Sequence, residues 1–215
     1  MIIVGAKGFA KEVLEILVQN SYQEAIAFFD NVNDKLPDKL YGKFSILRNE
    51  SQAMEFFDRV GNSFTLGIGE SLVRAKLSSL FSGFGGELTS VISPKSNVGH
   101  FGVKLGVGIS LMTGSTLTND IEIGKGCLIN LHCTIGHDCN IGDYVELSPG
   151  VHISGNCTLG DYCSIGTNAT ILPRVILGEN VIVVAGAVVT GNIESNSLAV
   201  GIPAKIIRKL PPIVI

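Results

Sequence analysis

The side chains best suited to acid–base chemistry stand together in one short segment, IGHDC at residues 135–139. His137 can accept a proton near neutral pH, because an unperturbed imidazole titrates close to that range. Asp138 follows it directly and could hold the ring and raise its basicity. Ile135 belongs to an inward-facing aliphatic series, so the imidazole two residues later should point outward. A solvated polar histidine would show the same spacing, and the pattern alone leaves both interpretations open.

A six-residue repeat is the element that must position this pair. Every sixth residue from Leu105 to Val189 is aliphatic, fifteen in succession. The position two residues earlier is a small or β-branched apolar residue in every repeat from Ile109 to Ala187 except Ser115. Period six fits neither an α-helix nor a simple alternating strand. It predicts a short flat strand followed by a glycine or polar corner. Three such faces close a coil of about 18 residues, so the repeats predict about five stacked coils.

The five cysteines follow the same repeat. They are separated only by multiples of six, and no C-x-x-C pair occurs that would indicate a zinc ribbon or a redox motif. We therefore predict that they are small apolar fillers at one repeated structural position. They are Cys127, Cys133, Cys139, Cys157 and Cys163.

Residues 1–85 show a different pattern, in which short apolar strands alternate with amphipathic helices. Strands are predicted at residues 2–4, 25–29 and 64–66, and such alternation indicates a small parallel sheet. The first strand ends in a turn from Gly5 to Gly8, which resembles half of a dinucleotide-binding fold. Only these two glycines fit that fingerprint, so the turn could hold a single nucleotide or merely close a small domain.

Composition excludes several classes of partner. The net charge of −3, with 16% charged residues, gives no electrostatic basis for binding nucleic acid or an anionic membrane surface. No apolar stretch approaches the roughly 20 residues needed to span a bilayer. The sequence MIIVG at the start indicates a buried strand rather than a signal peptide, so we expect a cytoplasmic protein without a membrane partner.

Several motifs together resemble one family. They are the strand-Gly-x-x-Gly start, IGHDCNIGD at 135–143, SPG at 148–150 and VGIPAK at 200–205. Over nearly its whole length the chain is similar to the hexapeptide-repeat sugar acetyltransferases of the PglD, NeuD and perosamine N-acetyltransferase type. The resemblance implies a Rossmann-like α/β (βαβ) domain at 1–85, a left-handed parallel β-helix at 86–205 and a C-terminal tail at 206–215. It also implies a homotrimer that uses acetyl-CoA as cosubstrate.

The resemblance assigns roles to particular residues. His137 would be the general base and Asp138 would orient it, while backbone amides would stabilise the oxyanion. Acetyl-CoA would lie in the groove between the β-helices of adjacent subunits, each of which is a three-sided prism. It would contact Gly155, Thr167, Ala185 and Gly186. The first domain would bind a nucleotide-linked sugar through Gly5, Ala6, Lys7, Gly8, Asp30, Asn31, Gly67 and Gly69.

Two positions depart from the family pattern. Phe9 stands in the first glycine loop, where the family often has histidine. Glu146 stands nine residues after His137, where the family often has a second histidine close to the acetyl thioester. A carboxylate there could accept a hydrogen bond from an attacking ammonium, or it could be a solvated corner residue.

The expected reaction is N-acetylation of a nucleotide-linked 4-amino-4,6-dideoxysugar for a surface glycan, with O-acetylation of a sialic-acid-type sugar as the alternative.

Three other functions compete with this one. A γ-type carbonic anhydrase could use His132 and His137 as zinc ligands, but its third histidine would stand two coils earlier, where the sequence has Ser96. We therefore expect no metal. A serine acetyltransferase usually carries a helical first domain, unlike the pattern here. A non-catalytic β-helix scaffold would bind no acetyl-CoA and would tolerate any change at His137.

Overall fold

The chain forms two regions that follow one another in sequence. The structure is a computed structural model and describes residues 1–214. A small α/β domain comes first and a three-sided parallel β-helix second. None of the helices within the described residues is long and apolar enough to cross a membrane.

The first region is a six-stranded sheet with three helices. Its strand order is β3-β4-β2-β1-β5-β6, parallel except for the β3–β4 hairpin. Its elements are β1 (Ile2–Val4), α1 (Gly8–Gln19), β2 (Ala27–Phe29), β3 (Lys39–Leu40), β4 (Phe44–Leu47), α2 (Glu50–Arg59), β5 (Ser63–Leu66), α3 (Ser71–Gly83) and β6 (Glu87–Leu88).

Three parts of this region were not predicted: the β3–β4 hairpin, helix α2 and strand β6. The hairpin strands are too short to show alternation. Helix α2 has an N-cap signal in Asn49, whose side chain accepts from the Gln52 amide, but it buries only Ala53 and Phe57. Strand β6 pairs with β5, so the first sheet extends beyond the expected boundary at residue 85. The domain ends after residue 85 because strand β6 completes the edge of the sheet before the chain enters the first coil.

Both faces of this sheet are covered. Ile3 packs with Val13 and Leu17 of α1 on one face, and Ile2 packs with Phe57 of α2 and Phe81 of α3 on the other. A parallel strand buried on both sides has no polar alternation, which explains the uninterrupted apolar run at residues 1–4.

The second region consists of short strands separated by tight corners. They are β7 (Val91–Ile92), β8 (Asn97–Val98), β9 (Lys104–Leu105), β10 (Ser110–Leu111), β11 (Thr116–Leu117), β12 (Glu122–Ile123), β13 (Leu128–Ile129), β14 (Thr134–Ile135), β15 (Asn140–Ile141), β16 (Glu146–Leu147), β17 (His152–Ile153), β18 (Thr158–Leu159), β19 (Ser164–Ile165), β20 (Thr170–Ile171), β21 (Ile176–Leu177), β22 (Val181–Val183), β23 (Val188–Val189), β24 (Ser197–Gly201) and β25 (Ala204–Lys209).

These strands form three faces. Face 1 contains β7, β10, β13, β16, β19, β22, β24 and β25; face 2 contains β8, β11, β14, β17, β20 and β23; face 3 contains β9, β12, β15, β18 and β21. The chain visits the faces in that order, so each coil has a corner 1–2, a corner 2–3 and a corner 3–1. Leu111 pairs with Ile129 and Ile123 with Ile141, which is the predicted offset of 18 residues.

The first coil carries one extra residue. Asn97 pairs with Thr116, an offset of 19 residues, whereas Lys104 already pairs with Glu122 at 18. The extra residue therefore lies in the turn between β8 and β9. This turn precedes Leu105, and from Leu105 to Val189 the predicted phase is unbroken.

The interior of the β-helix is a continuous apolar column, and the cysteines are part of it. All five are buried, and each thiol lies within hydrogen-bonding distance of the carbonyl 15 residues further along the chain, as from Cys127 to Gly142 at 3.0 Å. Burial raises the pKa of Cys127 and Cys163 to about 12, so these thiols stay protonated. Ser115 fits the column because its hydroxyl donates to the Asn130 carbonyl at 2.6 Å. The predicted filler role is confirmed.

Every corner after the one between β7 and β8 has one residue in the left-handed backbone region, and these residues stack between coils. Corner 2–3 uses Asp120, Asp138, Asn156 and Arg174, all with φ between 55° and 64°. Asparagine and aspartate tolerate this region better than most residues. The corner therefore requires the left-handed backbone conformation of Asp138, independently of any catalytic role of its side chain.

The C-terminal segment differs from the expected tail at 206–215. Strand β25 runs from Ala204 to Lys209 and pairs antiparallel with β24 on face 1. Beyond it, the Leu210 amide donates to the Asn196 carbonyl, and the Asn180 side chain donates to the Pro211 carbonyl. The tail is thus tied to the last coils through Pro211, because the open end of a β-helix presents unpaired backbone groups. Residue 215 lies outside the described residues.

The stacking of the interior predicts a large cost for shortening one buried side chain. Ile171 on face 2 is fully buried, and Ile171→Ala should lower the free energy of unfolding by about 2–5 kcal/mol. Urea denaturation followed by circular dichroism would measure this change. Thr158→Ala, at an exposed position on face 3, is the control and should change it by less than about 0.5 kcal/mol. Equal effects of the two substitutions would contradict the assigned inward and outward positions.

Candidate functional site

His137 and Asp138 meet at corner 2–3, between β14 and β15. The Nδ1 atom of His137 lies 2.6 Å from Oδ2 of Asp138, and both side chains are more than half exposed. When Nδ1 carries the proton and donates it to the carboxylate, Nε2 keeps a free lone pair directed away from Asp138. The arrangement can take a proton from a group that approaches the outside of the prism.

Gly155 makes room for this imidazole. It lies one coil further along at the same corner, and the Asn156 amide donates to the His137 carbonyl at 2.8 Å. A Cβ atom added at Gly155 would stand 2.7 Å from both Cε1 and Nε2 of the ring. The ring therefore rests against bare backbone, and only glycine leaves Nε2 in its observed place.

The predicted nucleotide-binding residues gather at one edge of the first sheet. We call this edge the carboxyl edge, because β1, β2 and β5 all end there, at residues 5–8, 30–31 and 67–69. The chain runs outward from β1 through β2 and β4, then returns to β5 on the other side of β1. Ligands of open parallel sheets bind at such a switch point. The glycines are needed here, since a Cβ atom on Gly5 would lie 2.8 Å from the Gly67 carbonyl oxygen.

Asp30 shapes a loop at this edge. Its carboxylate is buried and accepts hydrogen bonds from the Val32 amide, from the Asn33 amide at 2.9 Å and from the Asn33 side chain. Arg48 donates to carbonyls of the same loop, including that of Asn33 at 3.1 Å. Asp30 thus holds the loop directly, while Asn31 beside it is exposed.

A cavity of about 370 Å³ opens beside this loop. Lys7, at the start of α1, contributes to its wall, and so do residues 32–36 with a second lysine, Lys35. Asp34 offsets one of these two lysines, so the wall keeps a net charge of +1. This charge and the amino end of a helix favour an anionic ligand such as a phosphate group. Lys35 was not predicted as a site residue; its only sequence signal is a position shortly after Asp30. Phe9 packs into the apolar cluster beneath α1 and cannot take part in proton transfer.

Glu146 lies where the first domain meets the β-helix. It stands on β16 of face 1, and a Cβ atom on Gly69 would be 3.4 Å from its Oε1. Burial raises the pKa of the Glu146 carboxyl, whereas the positive charge of Arg74 lowers it. Glu146 is therefore a half-buried carboxyl next to the carboxyl edge, not the solvated corner residue that the sequence left open.

The residues predicted to contact acetyl-CoA fall at two corners. Thr167 and Gly186 are stacked at corner 1–2, where the Gly186 amide donates to the Thr167 carbonyl at 2.8 Å, and Ala185 precedes Gly186 in the same turn. Gly155 lies at corner 2–3. The structure brings Gly155 next to His137. Face 2 separates Gly155 from Thr167, Ala185 and Gly186.

His137 and Glu146 lie on different sides of the same prism. Corner 2–3 is opposite face 1 in a three-sided coil, and face 1 carries Glu146 and the docked first domain. Within one chain, the imidazole therefore cannot face the carboxyl edge. A second chain could supply the missing half.

The carbonic anhydrase alternative gains no support from this geometry. His132 is at corner 1–2 and His137 at corner 2–3. The residue two coils before His132 is Lys95 rather than Ser96, because of the extra residue in the first coil; the Gly114 amide donates to its carbonyl. Among residues 1–214, no group of three or more His, Cys, Asp or Glu side chains is arranged to hold a metal ion.

Comparison with known families assigns both regions. Residues 1–81 match the PglD N-terminal domain, and residues 138–172 and 156–191 match the bacterial transferase hexapeptide family. Both matches coincide with the observed regions. Together with the structural relatives they confirm the fold class expected from the sequence, an α/β domain followed by a left-handed parallel β-helix.

Individual relatives agree with this assignment. WeeI from Acinetobacter baumannii AYE is 32% identical with a TM-score of 0.85, over 96% of this chain and 100% of that one. PerB from Caulobacter crescentus, solved in complex with CoA and GDP-perosamine, is 29% identical with a TM-score of 0.84, over 95% of each chain. GDP-perosamine N-acetyltransferase from Escherichia coli O157:H7 is 28% identical over 148 residues, which span 66% of this chain and 64% of that relative.

The match to WeeI extends over both domains and the whole length of that chain, so the similarity is not limited to the six-residue repeat. The same is true of PerB over nearly its whole length. The chain belongs to the hexapeptide-repeat acetyltransferase family with a PglD-type N-terminal domain, as expected from its sequence motifs.

Proposed function

We propose that the protein transfers the acetyl group of acetyl-CoA to the amine of a nucleotide-linked 4-amino-4,6-dideoxysugar. The observation that carries the proposal is the 2.6 Å contact between His137 and Asp138 on an exposed corner. The bound CoA and GDP-perosamine of PerB support the choice of substrates. The product would be an N-acetylated nucleotide sugar, a precursor of a surface glycan.

His137 would act as the general base. Its Nε2 atom accepts a proton from the sugar amine as the amine nitrogen attacks the thioester carbonyl. Asp138 holds the ring and stabilises the imidazolium that forms. A sugar that binds as the ammonium first loses one proton to solvent, so that the neutral amine attacks. The carbon–sulfur bond then breaks, CoA leaves as the thiolate and takes up the proton that His137 carries, and the sugar has a new amide bond. A turn amide donates to the oxyanion.

The acceptor would bind along the carboxyl edge. Its pyrophosphate would lie at the start of α1, at the turn of Gly5, Ala6, Lys7 and Gly8, where backbone amides favour anions. The nucleoside would contact the loop of Asp30 and Asn31. The sugar would then extend past Gly67 and Gly69, so that its amine reaches Glu146. A carboxylate at that position suits a positively charged amino sugar better than a neutral hydroxyl acceptor.

The donor would lie between two chains of a homotrimer. Its pantetheine arm would follow Gly155 on one chain, and its remaining contacts would be Thr167, Ala185 and Gly186. This assembly is proposed because His137 and Glu146 are on opposite sides of one prism, so a complete site needs two copies. The cytoplasmic location expected from the sequence stays a prediction.

The first test is the reaction itself. The protein is incubated with acetyl-CoA and a panel of GDP-, UDP- and dTDP-linked 4-amino-4,6-dideoxysugars, and the release of free thiol is followed. We expect turnover with at least one sugar and a loss of about 100-fold or more in His137→Ala. His132→Ala, at a different corner, is the control and should keep its activity. Unchanged turnover in His137→Ala would remove the mechanism, and no turnover with any sugar would reject the substrate class.

The second test concerns the space that Gly155 leaves for the imidazole. Gly155→Ala should turn the ring away from Asp138 and lower kcat by about 100-fold, because a displacement of about 1 Å can have that effect. The melting temperature should change little, since a surface side chain can move aside. Gly191→Ala is the control, as a Cβ atom there meets no atom within 4 Å. Full activity in Gly155→Ala would show that the observed ring position is not the reactive one.

The third test asks whether two chains share the site. His137→Ala removes the base, and Gly8→Trp blocks the acceptor turn, where an added Cβ atom meets no atom within 4 Å. Each homogeneous variant should be inactive. Co-assembled in equal amounts, they should regain about a quarter of wild-type activity, because each mixed ring of three has one intact interface. Sedimentation should give three times the mass of one chain. If mixed assemblies stay inactive, both residues belong to the same chain's site.

A further inference from the structure

A buried arginine joins the first domain to the β-helix. Arg74 lies in α3, and its side chain is almost fully buried, with a relative exposure of 1%. Its Nε donates to the Gly126 carbonyl at 3.0 Å, and one Nη donates to the Tyr144 and Val145 carbonyls at 2.8 and 3.1 Å. Its other Nη donates to the carbonyl of Gly69. One side chain thus binds two successive turns of corner 3–1 and the loop after β5.

Burying a cation costs free energy, because the charge loses its hydration. Its presence here therefore indicates a role that an apolar side chain could not fill. Arginine is suited to the task, because its planar guanidinium donates in several fixed directions at once. All of its hydrogen-bond partners here are neutral carbonyl groups. The anionic group with the strongest electrostatic effect on it is Glu146.

The contact with Gly69 links this cation to the acceptor side of the proposed site. Gly69 belongs to the loop between β5 and α3, which begins at Gly67, and a Cβ atom added to it would lie 3.4 Å from Oε1 of Glu146. Nearby, the Ser71 and Ser164 hydroxyls lie 3.3 Å apart across the same boundary between α3 and face 1. The loop, the carboxyl group and the cation therefore form one packed unit.

We propose that Arg74 is a positioning residue for the acceptor: it fixes the Gly67–Gly69 loop against the β-helix and supplies the buried positive charge that faces Glu146. The inference rests on the proposed function and adds to it a residue outside the expected binding motifs. Arg74 touches neither substrate in this arrangement. It acts through the loop backbone and through the carboxyl group.

The charges around Glu146 decide the direction of the electrostatic effect. Burial and the neighbouring carboxylate of Glu70 raise the pKa of the Glu146 carboxyl, while the positive charge of Arg74 and the nearby Ser148 lower it. Removing the cation must therefore raise this pKa further. Glu146 would then be protonated, and lose its attraction for an ammonium group, at a higher pH than in the wild type.

The experiment compares Arg74→Met, Arg74→Lys and the control Lys76→Met, which removes an exposed cation from the same helix. In Arg74→Met, the KM for the amino-sugar nucleotide should rise about tenfold or more while the KM for acetyl-CoA stays within about twofold. Arg74→Lys keeps the charge but cannot bind three backbone segments at once, so it should show part of the KM effect. Lys76→Met should match the wild type.

The carboxyl carbon of Glu146, observed by NMR in glutamate-labelled protein and assigned with Glu146→Gln, gives a readout that needs no turnover. Its titration should move to higher pH in Arg74→Met and stay near the wild-type midpoint in Arg74→Lys. If Arg74→Met fails to fold, the KM for the amino-sugar nucleotide in Arg74→Lys decides. If the wild type is active, an unchanged KM for the amino-sugar nucleotide in every Arg74 variant that folds would overturn the inference. An unchanged Glu146 titration in Arg74→Met would also overturn it. An inactive wild type would instead count against the proposed function.

Discussion

The parallel pairing of residues 18 positions apart is the constraint on which the rest of this structure depends. Because each aliphatic side chain must lie above the previous one, every corner residue is also placed above another corner residue. Gly155 therefore meets His137, and the ring has space only because that position lacks a side chain. The hydrophobic column in the interior thus sets the geometry of a polar pair on the surface.

The docking of the first domain on face 1 is the second constraint. Leu128 of face 1 packs into the cluster beneath α1, and Tyr144 of corner 3–1 packs with the aromatic side chains around α3. The carboxyl edge consequently opens beside Glu146 and away from corner 2–3 of the same chain. In the proposed mechanism the trimer is therefore required for catalysis, since the base of one chain must meet the acceptor bound to another.

Much of the fold could be predicted because it repeats. A period of six, with glycine or polar corners, specifies strands, corners and interior from the local sequence pattern alone. The same period predicts that the cysteines lie in the interior, where all five are buried. The hairpin from Lys39 to Leu47 could not be predicted, because its stability comes from tertiary contacts rather than from a local pattern. The extra residue in the first coil was missed for the same reason: one insertion is visible only through the pairing of Asn97 with Thr116. Helix α2 carries local signals that could have predicted it, namely the Asn49 cap and the helical spacing of Ala53, Phe56 and Phe57.

The sequence by itself determined the β-helix, its phase and the outward position of His137, since these follow from periodicity and from the alternation of inward and outward side chains. It also placed Asp138 next to the imidazole, because the two are chain neighbours. Only the tertiary structure decided that Glu146 is half-buried beside Gly69, that Arg74 is buried at the domain boundary, and that His137 lies on the far side of the prism from both. Those relations join residues distant in the chain, and packing between the α/β domain and the β-helix sets them.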